Sequence, residues 1–362
     1  MNPRVPLLAA GGGALLAGLY GGLLLLGTPV PAPALPLEAV HGPLMVLGFA
    51  GTLIALERAV ALGARWALLA PACSGLGVLT LLVTGPGLAG KVLLMAASVV
   101  LLGVYRALWR RQPEAALLAQ AAGAFAWYAA TLLWLAGFTV AEIVPWLTVF
   151  VVATIAGERL ELARVAIFER HAERWFLAAL AALFAGAAAV TVRPADGTQL
   201  FGAALLGVVA WLLVYDVARR TVRATGLPRF IAVGLLAGYA WLGVAGVLWA
   251  GAGATGGGAR YDATVHAVFL GFVMSMIFVH APVILPAVLR VPLTFHPLLY
   301  APLALLHASL LVRVILGDAF GAAAVWRWSG VANVAAVLGF AACAALSRRA
   351  HRRPPVARAA LS

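Results

Sequence analysis

The chain has 362 residues, of which 64% are hydrophobic and only 10% charged, and its mean hydropathy is +1.03. Soluble domains carry about 25% charged residues, so this composition excludes an ordinary soluble enzyme and describes a chain whose bulk lies in lipid. The net charge of +13 does not mark a nucleic-acid partner, because the arginines fall in short loops rather than on one continuous basic surface.

A membrane span needs about 20 apolar residues, and twelve such stretches are predicted. The first, near 5–27, has an apolar run longer than the roughly 7–15 residues of a secretory signal core. It reads as a span, although Ala32-Pro33-Ala34 loosely resembles a cleavage site. Span two, 38–62, opens on His41-Gly42-Pro43-Leu44-Met45 and closes on Glu57-Arg58. Spans three to five, 66–85, 88–108 and 115–138, hold no histidine. Span six, 141–163, closes on Glu158-Arg159 and Glu161. Spans seven and eight, 174–192 and 198–218, follow, with Asp216 near the end of the latter. Span nine, 228–251, leads into the glycine-rich stretch Gly251 to Gly258, which reads as a flexible loop. Span ten, 261–288, carries His266 and His280; span eleven, 296–316, carries His296 and His307; span twelve is 325–346. The expected organisation is one helical membrane domain over 1–347 and a basic cytoplasmic tail over 348–362, beside anionic lipid. Cys73 and Cys343 lie in apolar runs with no metal-ligand spacing and read as packing residues.

Orientation follows from the basic residues. With both termini cytoplasmic, only Lys91, Arg193, Arg260, Arg313 and Arg327 of the 25 Lys and Arg residues fall on the outer side. The alternation holds loop by loop, which supports twelve spans with both termini inside.

Four histidines, His41, His266, His280 and His307, fall inside stretches that otherwise read as hydrocarbon-spanning. An imidazole in a bilayer costs free energy unless partnered, so each marks a functional site, and neutral imidazole is a common ligand of haem and transition metals. His41 and His266 share a depth near the outer leaflet. His280 lies about 21 Å below His266 at 1.5 Å per residue, and His307 about 16 Å along from His296. Helical register puts His266 and His280 on one face, and His296 and His307 on one face, both expected to point into the bundle. The bland alternative for each histidine is a bond to a neighbouring backbone carbonyl. Gly42, Gly48, Ala50 and Gly51 of span two, and Ala263, Ala267 and Gly271 of span ten, are small enough to flank a porphyrin edge, although small residues also serve plain helix packing. Met45 is a soft donor one turn from His41, though its type suits packing better.

No HExxH motif, nucleotide-binding glycine loop or GxSxG elbow is present. The His41-Gly42-Pro43-Leu44-Met45 opening of span two and the run from His266 to Pro286 in span ten, in a twelve-span chain, resemble the NnrS family and, more distantly, subunit I of the haem-copper oxidases. The resemblance implies an all-α, twelve-helix bundle like that subunit in a bacterial cytoplasmic membrane. It also implies haem, expected to be b-type, held by His41 and His266, a role in nitric oxide handling or membrane electron transfer, and a redox partner or respiratory subunit. Copper is a further expectation, with His280 and His307 its ligands by residue type. The oxidases place copper ligands in spans six and seven, which here hold no histidine, so oxygen reduction and proton pumping are not implied.

The inner groups Glu57, Glu158, Glu161, Asp216 and Arg290 read in two ways: a proton or anion route toward a buried site, or interfacial ion pairs that snorkel and anchor helices, the preferred reading. On the outer side Asp262, a turn above His266, is placed to orient its imidazole or to answer a haem propionate through Arg260. Two rival functions remain open: a proton- or metal-coupled transporter, of which Pro282 and Pro286 in span ten are a hint, and a structural subunit of a respiratory complex.

Overall fold

A computed structural model describes residues 3–31, 33–166, 170–252, 256–289 and 295–351. Among these, every regular element is helical, and twelve helices are long and apolar enough to cross a membrane. They are α1 (Arg4–Leu25), α2 (Leu37–Leu62), α3 (Arg65–Thr84), α4 (Leu88–Arg111), α5 (Ala115–Leu135), α6 (Val140–Ala163), α7 (His171–Val192), α8 (Pro194–Tyr215), α9 (Gly226–Gly251), α10 (Gly258–Val288), α11 (Pro297–Ala319) and α12 (Ala323–Ser347). The protein is a polytopic helical membrane bundle. The tail beyond His351, Arg290 and part of the glycine-rich loop lie outside the described residues.

The helix ends differ from the predicted ones for local reasons. Helix α5 stops at Leu135 rather than near 138. Gly137 takes a φ of 101° and Phe138 N–H bonds back to Leu133 O, an αL termination that hydropathy does not register. Helix α8 begins earlier, at Pro194, whose fixed φ suits the first helical position. It ends where Asp216 turns extended and caps the next short turn through Oδ1 and Ala218 N–H, at 2.7 Å.

Consecutive helices pack as antiparallel neighbours, and the chain closes where α1 meets α12. The central helices are α2, α6 and α10, with 67%, 72% and 67% of their apolar windows buried, against 50% or less in every other span. They recur every fourth span and touch one another, α10 reaching both α2 and α6. Outward faces are apolar, as at Val83, Val192 and Phe320, whereas Thr52, Ser74, Gln120 and Thr131 are wholly enclosed. Lipid gives an outward leucine as good an environment as the core, so polar side chains turn inward to find partners.

Three stretches depart from α-helix. Leu44–Gly51 in α2, Ala267–Met274 in α10 and Arg313–Ala319 in α11 are π-helical. Such turns are rare, usually brief and concentrated at functional sites. The first follows His41-Gly42-Pro43 almost directly, the second follows His266 directly, and the third begins at Arg313.

Candidate functional site around His41 and His266

Glycines in α1 let α2 come close enough to fix His41. A Cβ added to Gly21 would meet Leu37 O at 2.6 Å, and one added to Gly18 would meet Met45 Sδ at 2.6 Å. Met45 therefore packs into a glycine notch. Across this close contact His41 Nδ1 lies 2.6 Å from Gly18 O, and the ring rests against Gly22, whose added Cβ would meet Cε1 at 3.2 Å. His266 is fixed from its own helix, with Nδ1 at 2.8 Å from Asp262 O and 3.2 Å from Asp262 Oδ1. A carbonyl oxygen only accepts, so in both residues Nδ1 carries the proton and donates it. In the neutral ring Nε2 then holds the lone pair, and among the described residues no hydrogen-bond partner takes it in either residue. These are the carbonyl bonds expected of a packed histidine, and they also leave Nε2 in the form that a metal ligand needs.

The two rings belong to one electrostatic neighbourhood, since His41 interacts with His266, Asp262 and Arg313. Asp262 is its hub. It takes Arg313 Nε at 2.9 Å and Nη2 at 2.7 Å as a two-pronged pair, and Trp326 Nε1 at 3.1 Å. Arg313 also lies over the Trp326 ring, 5.1 Å from its centroid. The carboxylate thus orients the His266 imidazole, as expected, but its cation is Arg313 of α11; Arg260 is exposed. Asp318, from the same π segment as Arg313, lies within electrostatic reach of both Asp262 and Arg313 and has a buried, unpartnered Oδ2. Sequence reasoning missed Trp326 and Asp318; only the tertiary contact of α10, α11 and α12 makes them part of the site.

By donor type the two imidazoles would suit a haem iron. Three of the seven small residues named as flanking a porphyrin serve helix contacts instead. Added Cβ atoms would strike Val78 from Gly48 at 2.6 Å, Trp127 from Gly51 at 2.8 Å and Trp241 from Gly271 at 2.4 Å.

His307 does not join this cluster. Trp241 Nε1 donates to its Nδ1 at 3.0 Å, so its proton sits on Nε2, 3.3 Å from Ser275 Oγ. Ser275 in turn donates to Gly234 O at 2.8 Å. Both ring nitrogens are engaged, and no ligand lone pair is free. His296 is exposed and caps a short turn by accepting Leu298 N–H at 3.1 Å, so the inward face expected to carry His296 and His307 is not formed. Nor do His266 and His280 keep α-helical register, because the π segment between them takes more residues per turn.

His280 lies toward the opposite end of α10 from His266. Its Nδ1 donates to Met276 O at 2.8 Å, and its Nε2 is buried and unpartnered. It lines a cavity of about 400 Å³ together with Glu57, Glu158 and Arg159. Glu57 and Glu158 keep 27% and 26% of their side-chain surface accessible, and Glu161 is exposed. Arg58, 13% exposed, links Glu57 at 2.6 Å and Glu158 at 3.2 Å and donates to Gln120 at 3.1 Å. Arg159 faces Asp216 at 4.0 Å, the two 7% and 1% exposed, and Tyr239 donates to that carboxylate at 2.8 Å. Burial of this depth corrects the interfacial reading for Asp216 alone among the expected inner groups. Among the described residues no group of three or more His, Cys, Asp and Glu side chains converges on a point that could hold a metal ion.

No curated protein and no solved structure matches the chain. A family model described as a domain of unknown function (DUF8744) matches residues 4–349, and the chain belongs to that family.

Proposed function

We propose that this DUF8744 protein is a haem-binding membrane protein whose iron is held by His41 and His266, acting in nitric oxide handling or membrane electron transfer. The observation that carries the reading is the shared state of the two rings: each has Nδ1 anchored on a carbonyl and Nε2 free, and both sit where a π segment interrupts a central helix. Haem, when bound, would supply one-electron chemistry and an iron able to bind small gases. Asp262 would hold the His266 ring in its tautomer and strengthen it as a donor. Arg313 would keep Asp262 ionised and in place. The resemblance of spans two and ten to the NnrS proteins and the oxidases points the same way, and copper at His280 remains part of the proposal by residue type alone.

The test is a reduced-minus-oxidised visible spectrum of the purified protein, with and without nitric oxide. A Soret band with sharp reduced α and β bands, diminished in both His41→Ala and His266→Ala, is expected. A preparation that stays colourless after haem is supplied during expression overturns the reading and moves a histidine-based transporter to the front.

A further inference from the structure

Between Glu57 and Glu114 the chain holds no acidic residue, so helices α3 and α4 carry arginine without a counter-charge of their own. Their arginines all fall at one end of this antiparallel pair: Arg65 opens α3, and Arg106, Arg110 and Arg111 close α4. Arg111 ties back to the end of α2, donating to Leu62 O at 2.9 Å. Arg65, Arg106 and Arg110 are exposed, and among the described residues no hydrogen bond or ion pair engages their guanidinium groups. The next acid along the chain, Glu114, accepts from Gln112 Nε2.

The surface that leads away from these cations is built for alkyl chains. Leu69, Leu76 and Val83 recur every seventh residue on α3, Val92 and Val99 do so on α4, and all five are exposed. Seven residues make two turns less about 20°, so each set lies along one face of its helix. Arg106 continues the α4 stripe at the same interval, and Arg65 and Trp66 stand one turn before Leu69. The Trp66 ring crosses to α4, where Cζ3 lies 3.6 Å from the Cβ position of Gly103, three residues before Arg106. The charged ends of the two stripes are therefore neighbours, with two exposed indoles, Trp66 and Trp109, beside them. Indoles and arginines together at a helix end mark headgroup depth. From Leu69 to Val83 the stripe runs about 21 Å, more than half of the roughly 30 Å hydrocarbon core.

We infer that the surface seam between α3 and α4 binds an anionic phospholipid, its phosphate held by Arg65, Arg106 and Arg110 and its acyl chains lying along the two apolar stripes. A guanidinium offers a phosphate two parallel N–H donors. A zwitterionic headgroup would bring its own ammonium against the three arginines. An acidic peptide or a nucleic acid would answer the cations and leave the apolar stripes and the indoles unused. The site lies on helices without a histidine and does not depend on haem at His41 and His266.

The probe is dioleoyl phosphatidylglycerol, titrated into the whole detergent-solubilised protein, with bound lipid counted by native mass spectrometry. It should bind more tightly than dioleoyl phosphatidylcholine. Arg65→Gln should weaken it about fivefold and Arg65→Gln/Arg106→Gln about thirtyfold, the usual attraction of one and of two arginines for an anionic headgroup. Arg223→Gln/Arg229→Gln, which removes two exposed arginines near the start of α9, should leave the affinity unchanged. Every replaced side chain is exposed, so the melting temperatures should match that of the unaltered protein. Dihexanoyl phosphatidylglycerol, whose chains reach only the first part of the stripes, should bind at least about tenfold more weakly, and glycerol phosphate should not compete, which separates a lipid from a free phosphate. Equal losses in the two double variants would reduce the patch to diffuse surface charge. That result, phosphatidylcholine or the dihexanoyl lipid binding as tightly as the probe, or displacement by glycerol phosphate overturns the inference. The readout counts lipid and needs no chromophore, so failure here and failure of the haem reading are separate results.

Discussion

At the residue scale the histidines divide by what their second nitrogen does. His307 is bonded at both nitrogens, by Trp241 and Ser275, and its role is to join α9, α10 and α11. His307→Ala should lower the melting temperature, because Trp241 N–H loses its acceptor in a buried setting, a cost of about 1–3 kcal/mol. The variant should leave any Soret band at full intensity; loss of the band with a normal melt would make His307 a ligand after all. Asp262 presents the opposite case. Its side chain answers Arg313, which is only 6% exposed, so Asp262→Ala strands a buried cation and should destabilise by about 3–5 kcal/mol, read as a fall in thermal midpoint. Arg313→Met in the same background should recover much of that loss, since removing both charges removes the stranded one. If the double variant is no better than the single, the pair is not what makes Asp262 structural. The residue types were legible in the sequence, and so was the idea that Asp262 orients His266. The choice of Arg313 over Arg260 was not, because it depends on α11 delivering its π segment beside α10.

At the element scale, α1 and the π segments position the site. A π segment widens the helix and shifts the register of everything beyond it, so the direction of a side chain cannot be found by counting 100° per residue. It also loosens the backbone ladder, and Ser74 of α3 meets this by donating to Leu47 O at 3.0 Å while accepting from Thr52 Oγ1 at 2.8 Å. Helix α1 contributes through its glycines. Gly22→Leu should push the His41 ring off Gly18 O, because even a Cβ there would sit 3.2 Å from Cε1. The expected outcome is a weakened or altered haem spectrum with unchanged helical circular dichroism; an unaltered spectrum would show that α1 does not place His41. Hydropathy located every one of these helices, but it carries no signal for a π turn, since both helix types bury the same apolar side chains.

At the scale of the whole molecule, nine of the twelve membrane-length helices surround α2, α6 and α10, and α1 and α12 border the cavity lined by His280. The charge bias in the loops predicts Gln112, between α4 and α5, on the cytoplasmic side and Gly137, between α5 and α6, on the outside. In a background with Cys73 and Cys343 replaced by alanine, Gly137→Cys in intact cells should react with a membrane-impermeant maleimide, and Gln112→Cys should react only after lysis. The reverse pattern would invert the bundle and place His41 and His266 toward the cytoplasm. The sequence by itself determined the class, the twelve spans and the loop charge bias, because the cost of putting polar backbone and charge into hydrocarbon acts on each segment separately. Only the tertiary structure decided which histidines keep an unbonded nitrogen, which arginine answers Asp262, and that Glu57 and Glu158 border a cavity. Those outcomes depend on which helices become neighbours and how closely they approach, which is set by glycine notches and π turns that leave no periodic trace in the chain.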